Sequence, residues 1–205
     1  MINYIKNKIE MLVFKLLLIF FPSNKVHKKE SSIGVTTLLC HRDVDMCIYS
    51  LTSLFYSMKQ SFPVFIINDG SLTSFDKKKL ARFFTVIIPS QKWCEKQMKI
   101  ILENYSSFRE FRFSPEFSSN VMRKKFDAFF LNPFKRFIYL DADILFFKES
   151  KHISNWLSST ENIGLYSVHE WKNKMKTDDD FAMIIRRLLR KFLSSTASHL
   201  YFSCG

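Results

Sequence analysis

The sequence predicts an α/β domain built on a mainly parallel sheet flanked by helices, and three observations carry that expectation. Past residue 32, short β-branched or aromatic runs alternate with stretches whose apolar residues recur at three and four. Two of the strand-like runs lead directly into acidic turns, at Asn68-Asp69 and at Leu140-Asp141. The chain has 205 residues, of which 47% are hydrophobic, enough for one domain with a sizeable core.

Residues 1–30 read as an apolar segment followed by a basic linker, and 31–205 as the domain. Met11 to Phe21 is an eleven-residue apolar run interrupted by Lys15, whereas a bilayer span takes about 20 residues. Residues 4–21 therefore read either as an interfacial segment in peripheral membrane contact, with Lys6, Lys8, Lys25, Lys28 and Lys29 among headgroups, or as a leading helix packed on the domain. A basic start and a short apolar core also fit a signal peptide, but Phe21-Pro22-Ser23-Asn24 has no small-x-small cleavage pattern. The expected location is cytoplasmic.

The first strand is expected over Ile33–Leu39. Val44, Cys47, Ile48, Leu51, Leu54, Phe55 and Met58 then mark one face of a helix, with Asp43 in position to cap it. A second strand over Pro63–Asn68 ends in the turn Asn68-Asp69-Gly70-Ser71, and Thr73 with Asp76 opens another helix. Thr85–Ile88 reads as a third strand, 91–105 and 119–131 as helices, and Arg136–Leu140 as a buried strand. A strand over Ile163–Val168 precedes His169-Glu170-Trp171, which read as a turn or as an approach to an acceptor. Asp178-Asp179-Asp180 is expected to cap an amphipathic helix over Phe181–Leu193.

Composition excludes several chemistries. With glycine only at 34, 70, 164 and 205, neither a G-x-G-x-x-G turn nor a GxxxxGK[ST] phosphate loop exists. Cysteines at 40, 47, 94 and 204 lack zinc spacing and read as reduced thiols. There is no H-E-x-x-H and no G-x-S-x-G. The net charge of +12 favours an anionic partner. Without an aromatic-basic strand pattern, it does not single out nucleic acid.

The chemistry centres on Asp141-Ala142-Asp143. Two carboxylates one residue apart at the end of an apolar strand, in extended backbone, would point to the same side roughly 6.5–7 Å apart. They repel one another unless a cation or solvent relieves them. Ligands of open α/β sheets gather beyond the carboxyl ends of strands, where Asp69 and residues Thr37 to His41 are also expected. Such oxygen ligands suit Mg²⁺ or Mn²⁺.

The stretch from Lys125 through Phe137-Ile138-Tyr139-Leu140-Asp141-Ala142-Asp143 resembles the signature of nucleotide-diphospho-sugar glycosyltransferases of the GT-A fold, in which a basic helix residue precedes a strand of the form [FIL]-Y-L-D-x-D. VTTLLCHRD and VFIINDGS resemble the nucleotide-binding half of that fold, so the resemblance covers about residues 33–148. It implies a GT-A-like, Rossmann-related sheet. It also implies that Asp143 ligates the metal and that Asp141 contacts metal or ribose. Asp69 would touch the uracil or ribose, and Thr37 with the Cys40–His41 backbone would line the base pocket. Lys125 would reach the diphosphate or sugar, with Arg123 and Lys124 as competitors for that role. The plainer alternatives are that Asp69 only shapes its turn and that Lys125 is a solvated helix lysine.

His199 to Gly205 resembles the family's Y-F-N-[SA]-G strand, which puts Ser203, in place of the usual Asn, and Gly205 on the acceptor side. The family continues beyond this point, so a C-terminally incomplete domain is expected. The function implied is a metal-dependent transfer of sugar from a UDP- or GDP-type donor to a hydroxyl of a glycan, lipid or protein. The alternative is a non-catalytic nucleotide-sugar-binding or scaffold protein.

Overall fold

A computed structural model describes residues 32–113, 121–159, 165–166 and 199–202. Six strands form one sheet: β1 (Ile33–Leu39), β2 (Val64–Asn68), β3 (Val86–Ile87), β4 (Arg136–Leu140), β5 (Leu165–Tyr166) and β6 (His199–Phe202). Their order is β3-β2-β1-β4-β6-β5 and every pairing is parallel. Val35 through Leu39 pair with Val64 through Asn68, and Ile33 through Thr36 with Arg136 through Tyr139. The helices are α1 (Val44–Met58), α2 (Ser74–Phe83), α3 (Gln91–Ile101), α4 (Ser106–Phe113), α5 (Lys125–Phe130) and α6 (Lys151–Ser158).

Both faces of the sheet are covered, which is why its central strands read as continuous apolar runs. Alternate residues of each strand enter different cores. Val64, Ile66, Ile138 and Leu140 join Ile48, Leu51, Leu54 and Phe55 of α1, Leu80 of α2, and Ile153 and Trp156 of α6. Phe65, Ile67, Phe137 and Tyr139 join Cys94 and Met98 of α3, Ala128 of α5, and Phe134. No helix among the described residues is long and apolar enough to cross a membrane.

The expected bounds of β1, α1 and β4 hold. The second strand starts at Val64, not Pro63, because proline has no N–H to give a ladder, although its carbonyl accepts from Val35 N at 2.9 Å. The third strand shrinks to Val86–Ile87. The helix expected over 91–105 stops at Ile101 and a separate α4 follows. The stretch 119–131 divides into a 3₁₀ turn, Val121–Lys124, and the short α5, with Asn132-Pro133 just beyond. The unexpected α6 had a local signal: Ser150 caps it by accepting from Ile153 N at 3.4 Å, ahead of an apolar Ile153, Trp156, Leu157 spacing.

Asp43 does not cap α1. Residues His41–Asp43 form a 3₁₀ turn into the helix, and the Asp43 carboxylate instead accepts from Cys40 Sγ at 3.0 Å and Arg42 Nε at 3.1 Å. The Cys40 hydrogen bond is the largest influence holding Asp43 below the usual carboxylate range; partial burial opposes it and Arg42 assists. Thr73 and Asp76 form the expected opening of α2 as a reciprocal capping box.

The apolar segment at residues 4–21, the helix at Phe181–Leu193 with its acidic cap, His169-Glu170-Trp171, most of the strand at Ile163–Val168, and Ser203, Cys204 and Gly205 lie outside the described residues.

Candidate functional site

The chain steps outward from β1 through β2 to β3, then returns to lay β4 on the opposite side of β1. The crossover direction thus reverses between β1 and β4, and in a parallel sheet the carboxyl ends flanking such a reversal form the crevice where ligands bind. Cys40 and His41 leave β1 there, Asp69 leaves β2 beside them, and Asp141 to Asp143 leave β4.

The aspartate pair lies beyond the end of β4, not within it. The strand ends at Leu140, and Asp141 to Asp143 enter a turn in which the Asp141 carbonyl accepts from Ile144 N at 3.4 Å. Pleat alternation therefore does not set which way the two carboxylates point. Helix α1 fixes this loop from below: Ser50 Oγ donates to the Asp141 carbonyl at 3.5 Å, and Ser53 Oγ accepts from Phe146 N at 3.0 Å. The Asp141 side chain is mostly buried and Asp143 is exposed.

Three consecutive basic residues meet three different partners. Arg123 is buried, donating from Nη1 to the Phe111 carbonyl at 2.8 Å with its guanidinium over the Phe111 ring. Lys124 donates from Nζ to the Asp69 carbonyl. Lys125 places its ammonium 2.8 Å from Asp141 Oδ1, 5.8 Å above the centre of the Tyr139 ring. Of the three competing side chains, Lys125 is the one that meets Asp141, and Lys124 ties the end of β2 to the 3₁₀ turn that leads into α5.

That helix is anchored by a bidentate pair: Arg112 Nε and Nη2 each donate to one oxygen of Asp127 at 2.7 Å. Burial lifts the Asp127 carboxyl above the ordinary range even against the pull of Arg112. Sequence reading missed this pair, because its members lie on different helices with no shared periodicity.

On the β1–β2 side, Asp69 Oδ1 accepts from Ser71 N at 2.8 Å and Ser71 Oγ at 2.7 Å, and Ser71 Oγ accepts from His41 N at 2.7 Å. Asp69 therefore shapes its turn and also links to the end of β1. His41 Nδ1 lies 2.7 Å from Asp76 Oδ2, the buried carboxylate of the capping box. Thr37 is buried within β1 opposite Ile66, its hydroxyl donating to the Leu38 carbonyl at 3.3 Å. The Cys40 thiol is pushed up by burial and by Asp43. Cys40, Cys47 and Cys94 are free thiols, Cys47 raised by complete burial to about 12 and Cys94, by burial above all, to about 11, so neither is a ready nucleophile.

Asp76 is held below the usual carboxylate range: burial pushes it up, but hydrogen bonds from Thr73 N–H, His41 and the Thr73 hydroxyl outweigh that. A depressed folded value means the stabilisation is full above about pH 4, the unfolded value, and is lost as pH falls through the folded one. Asp76→Asn is expected to cost about 1–2 kcal/mol at neutral pH and to flatten the acid limb of stability, as read from thermal melts between pH 3 and 6.

Among the described residues no group of three or more His, Cys, Asp or Glu side chains could hold a metal ion. The cation that lies against Asp141 is the Lys125 ammonium. No protein-family model matches the chain, and neither a curated protein nor a solved structure matches it.

Proposed function

We propose that this chain is a metal-dependent glycosyltransferase of the GT-A type, moving a sugar from a UDP- or GDP-linked donor to a hydroxyl acceptor on a glycan, lipid or protein. The observation that carries the reading is the Lys125–Asp141 ion pair beside the β1–β4 reversal of a parallel sheet, with Asp143 two residues on and the Asp69 carbonyl tied in through Lys124. Carboxylates and an ammonium at one strand end suit a ligand that brings both a metal and a diphosphate.

In this scheme Asp143, exposed, and Asp141, whose backbone carbonyl accepts from Ser50, would hold the Mn²⁺ or Mg²⁺. The metal would offset the negative charge that gathers on the β-phosphate as the anomeric C–O bond breaks. Lys125 adds a positive charge on the same side. Asp69, with Oδ1 committed to Ser71, offers its second oxygen to a ribose hydroxyl or base N–H. The β1 turn at Cys40 and His41 bounds the base side, where the His41–Ser71 hydrogen bond holds the two loops at a set distance.

Calorimetric titration with UDP and with GDP, with and without Mn²⁺, tests this. Metal-dependent binding that falls at least tenfold in Asp143→Ala, a variant at an exposed position that leaves the fold intact by circular dichroism, is the expected result. Binding that is indifferent to chelator and to Asp143→Ala would overturn it.

A further inference from the structure

The Lys125–Asp141 contact is an ion pair between two partly buried groups, with 22% and 15% of their side chains exposed. Neither end is free to wander. Lys125 opens α5, which the Arg112–Asp127 pair pins, and its ammonium lies over Tyr139, while the Asp141 backbone is held by Ser50 and Ile144. Asp143, in contrast, makes no hydrogen bond or ion pair among the described residues and faces solvent.

We propose that Lys125 is a built-in counter-ion, holding the cation position at Asp141 until a divalent metal displaces it, so that lysine and metal compete for one carboxylate. This rests on reading Asp141 and Asp143 as the metal ligands. A dication arriving alone meets an ammonium within a few ångströms and leaves the site with surplus positive charge. A dication arriving with a diphosphate brings the anion that the displaced ammonium can pair with. Lys125 therefore opposes the bare metal and favours the metal–nucleotide complex, which makes the nucleotide's entry the event that frees the lysine. The coupling is reciprocal: metal at Asp141 and diphosphate at the freed lysine each promote the other, so removing the ammonium must help the bare metal and hurt the diphosphate.

The test uses the full chain and measures Mn²⁺ alone, by the paramagnetic resonance signal of the free aquo ion, then UDP and GDP at saturating Mn²⁺. Lys125→Met keeps the apolar stem on Tyr139 without the charge, and Lys125→Arg keeps the charge. Mn²⁺ alone is expected to bind Lys125→Met about five- to tenfold tighter than wild type and Lys125→Arg about equally, while nucleotide binding weakens in Lys125→Met. A purely structural lysine would not produce opposite signs for the two ligands. Repeating the Lys125→Met change on Asp141→Asn is expected to abolish the gain. Equal or weaker Mn²⁺ binding by Lys125→Met, with wild type binding normally, would overturn the counter-ion role alone. Absence of Mn²⁺ binding in every variant would overturn both this role and the metal-site reading.

Discussion

Replacing Asp127 by alanine is expected to destabilise the protein by about 3–5 kcal/mol, the range for stranding one member of a buried ion pair. The Asp127 side chain is 1% exposed and Arg112 10%, and both hydrogen bonds run between parallel donor and acceptor forks at 2.7 Å. Removing the carboxylate leaves a guanidinium in a site with little water, with the Phe113 ring 5.0 Å away and the more distant charge of Glu95 as weaker compensation. Urea denaturation followed by circular dichroism measures the loss. The double variant Asp127→Leu with Arg112→Met is expected to recover most of it, because an apolar pair of similar volume removes both desolvation penalties together. A single-variant loss below 1 kcal/mol would mean that the pair does not hold α5 in place. Because Asp127 lies two positions beyond Lys125, Asp127→Ala is also expected to loosen the Lys124 and Lys125 contacts.

Gly34→Val is expected to cost about 3 kcal/mol, at the upper end of overpacking penalties. A Cβ at this position would sit 2.1 Å from Cδ2 and Cε2 of Phe134 and 2.5 Å from its Cζ, far inside contact distance. The ring has little room to retreat. Phe134 N donates to Asn132 Oδ1 at 2.9 Å, and Asn132 Nδ2 donates both to Thr36 Oγ1, inside β1, and to the Ala128 carbonyl at 3.2 Å. The clash thus falls where the segment after α5 crosses the start of β1. Phe134→Ala removes the obstacle, so the double variant is expected to be less unstable than the sum of the two single changes, with an interaction energy above 1 kcal/mol in a double-mutant cycle. Additive losses would show that the ring does move aside.

How much of this architecture could be read in advance depended on whether the deciding interactions were local. β1, α1 and β4 kept their expected bounds because α1 shows a sustained 3.6 period and the two strands are uninterrupted β-branched or apolar runs of at least five residues, each stopping at a clear break. The capping box of α2 was legible because Thr73 and Asp76 are three residues apart, so one helical turn brings them together. The short α5 and the split after Ile101 were not, since a six-residue helix carries too few turns for a period to register. Asp43 had the right residue type in the right place for a cap, but its carboxylate went to a thiol and a guanidinium that the 3₁₀ turn brought closer.

The candidate site divides along the same line. An aspartate pair behind an apolar strand, an acidic turn after the second strand and a run of three basic residues are properties of the sequence by itself, and so is the parallel α/β class. Which base meets Asp141 was decided only by tertiary structure. Successive residues of a helical turn point in different directions, so Arg123, Lys124 and Lys125 look alike in a list of charges until the packing of the 3₁₀ turn and α5 sends one inward, one toward β2 and one toward Asp141. The turn at Asp141 to Asp143 is likewise set by hydrogen bonds from α1, more than eighty residues away in the chain. Local patterns specify elements because their forces act within a few residues; the site is assembled by contacts across the sheet, whose geometry no short window of sequence contains.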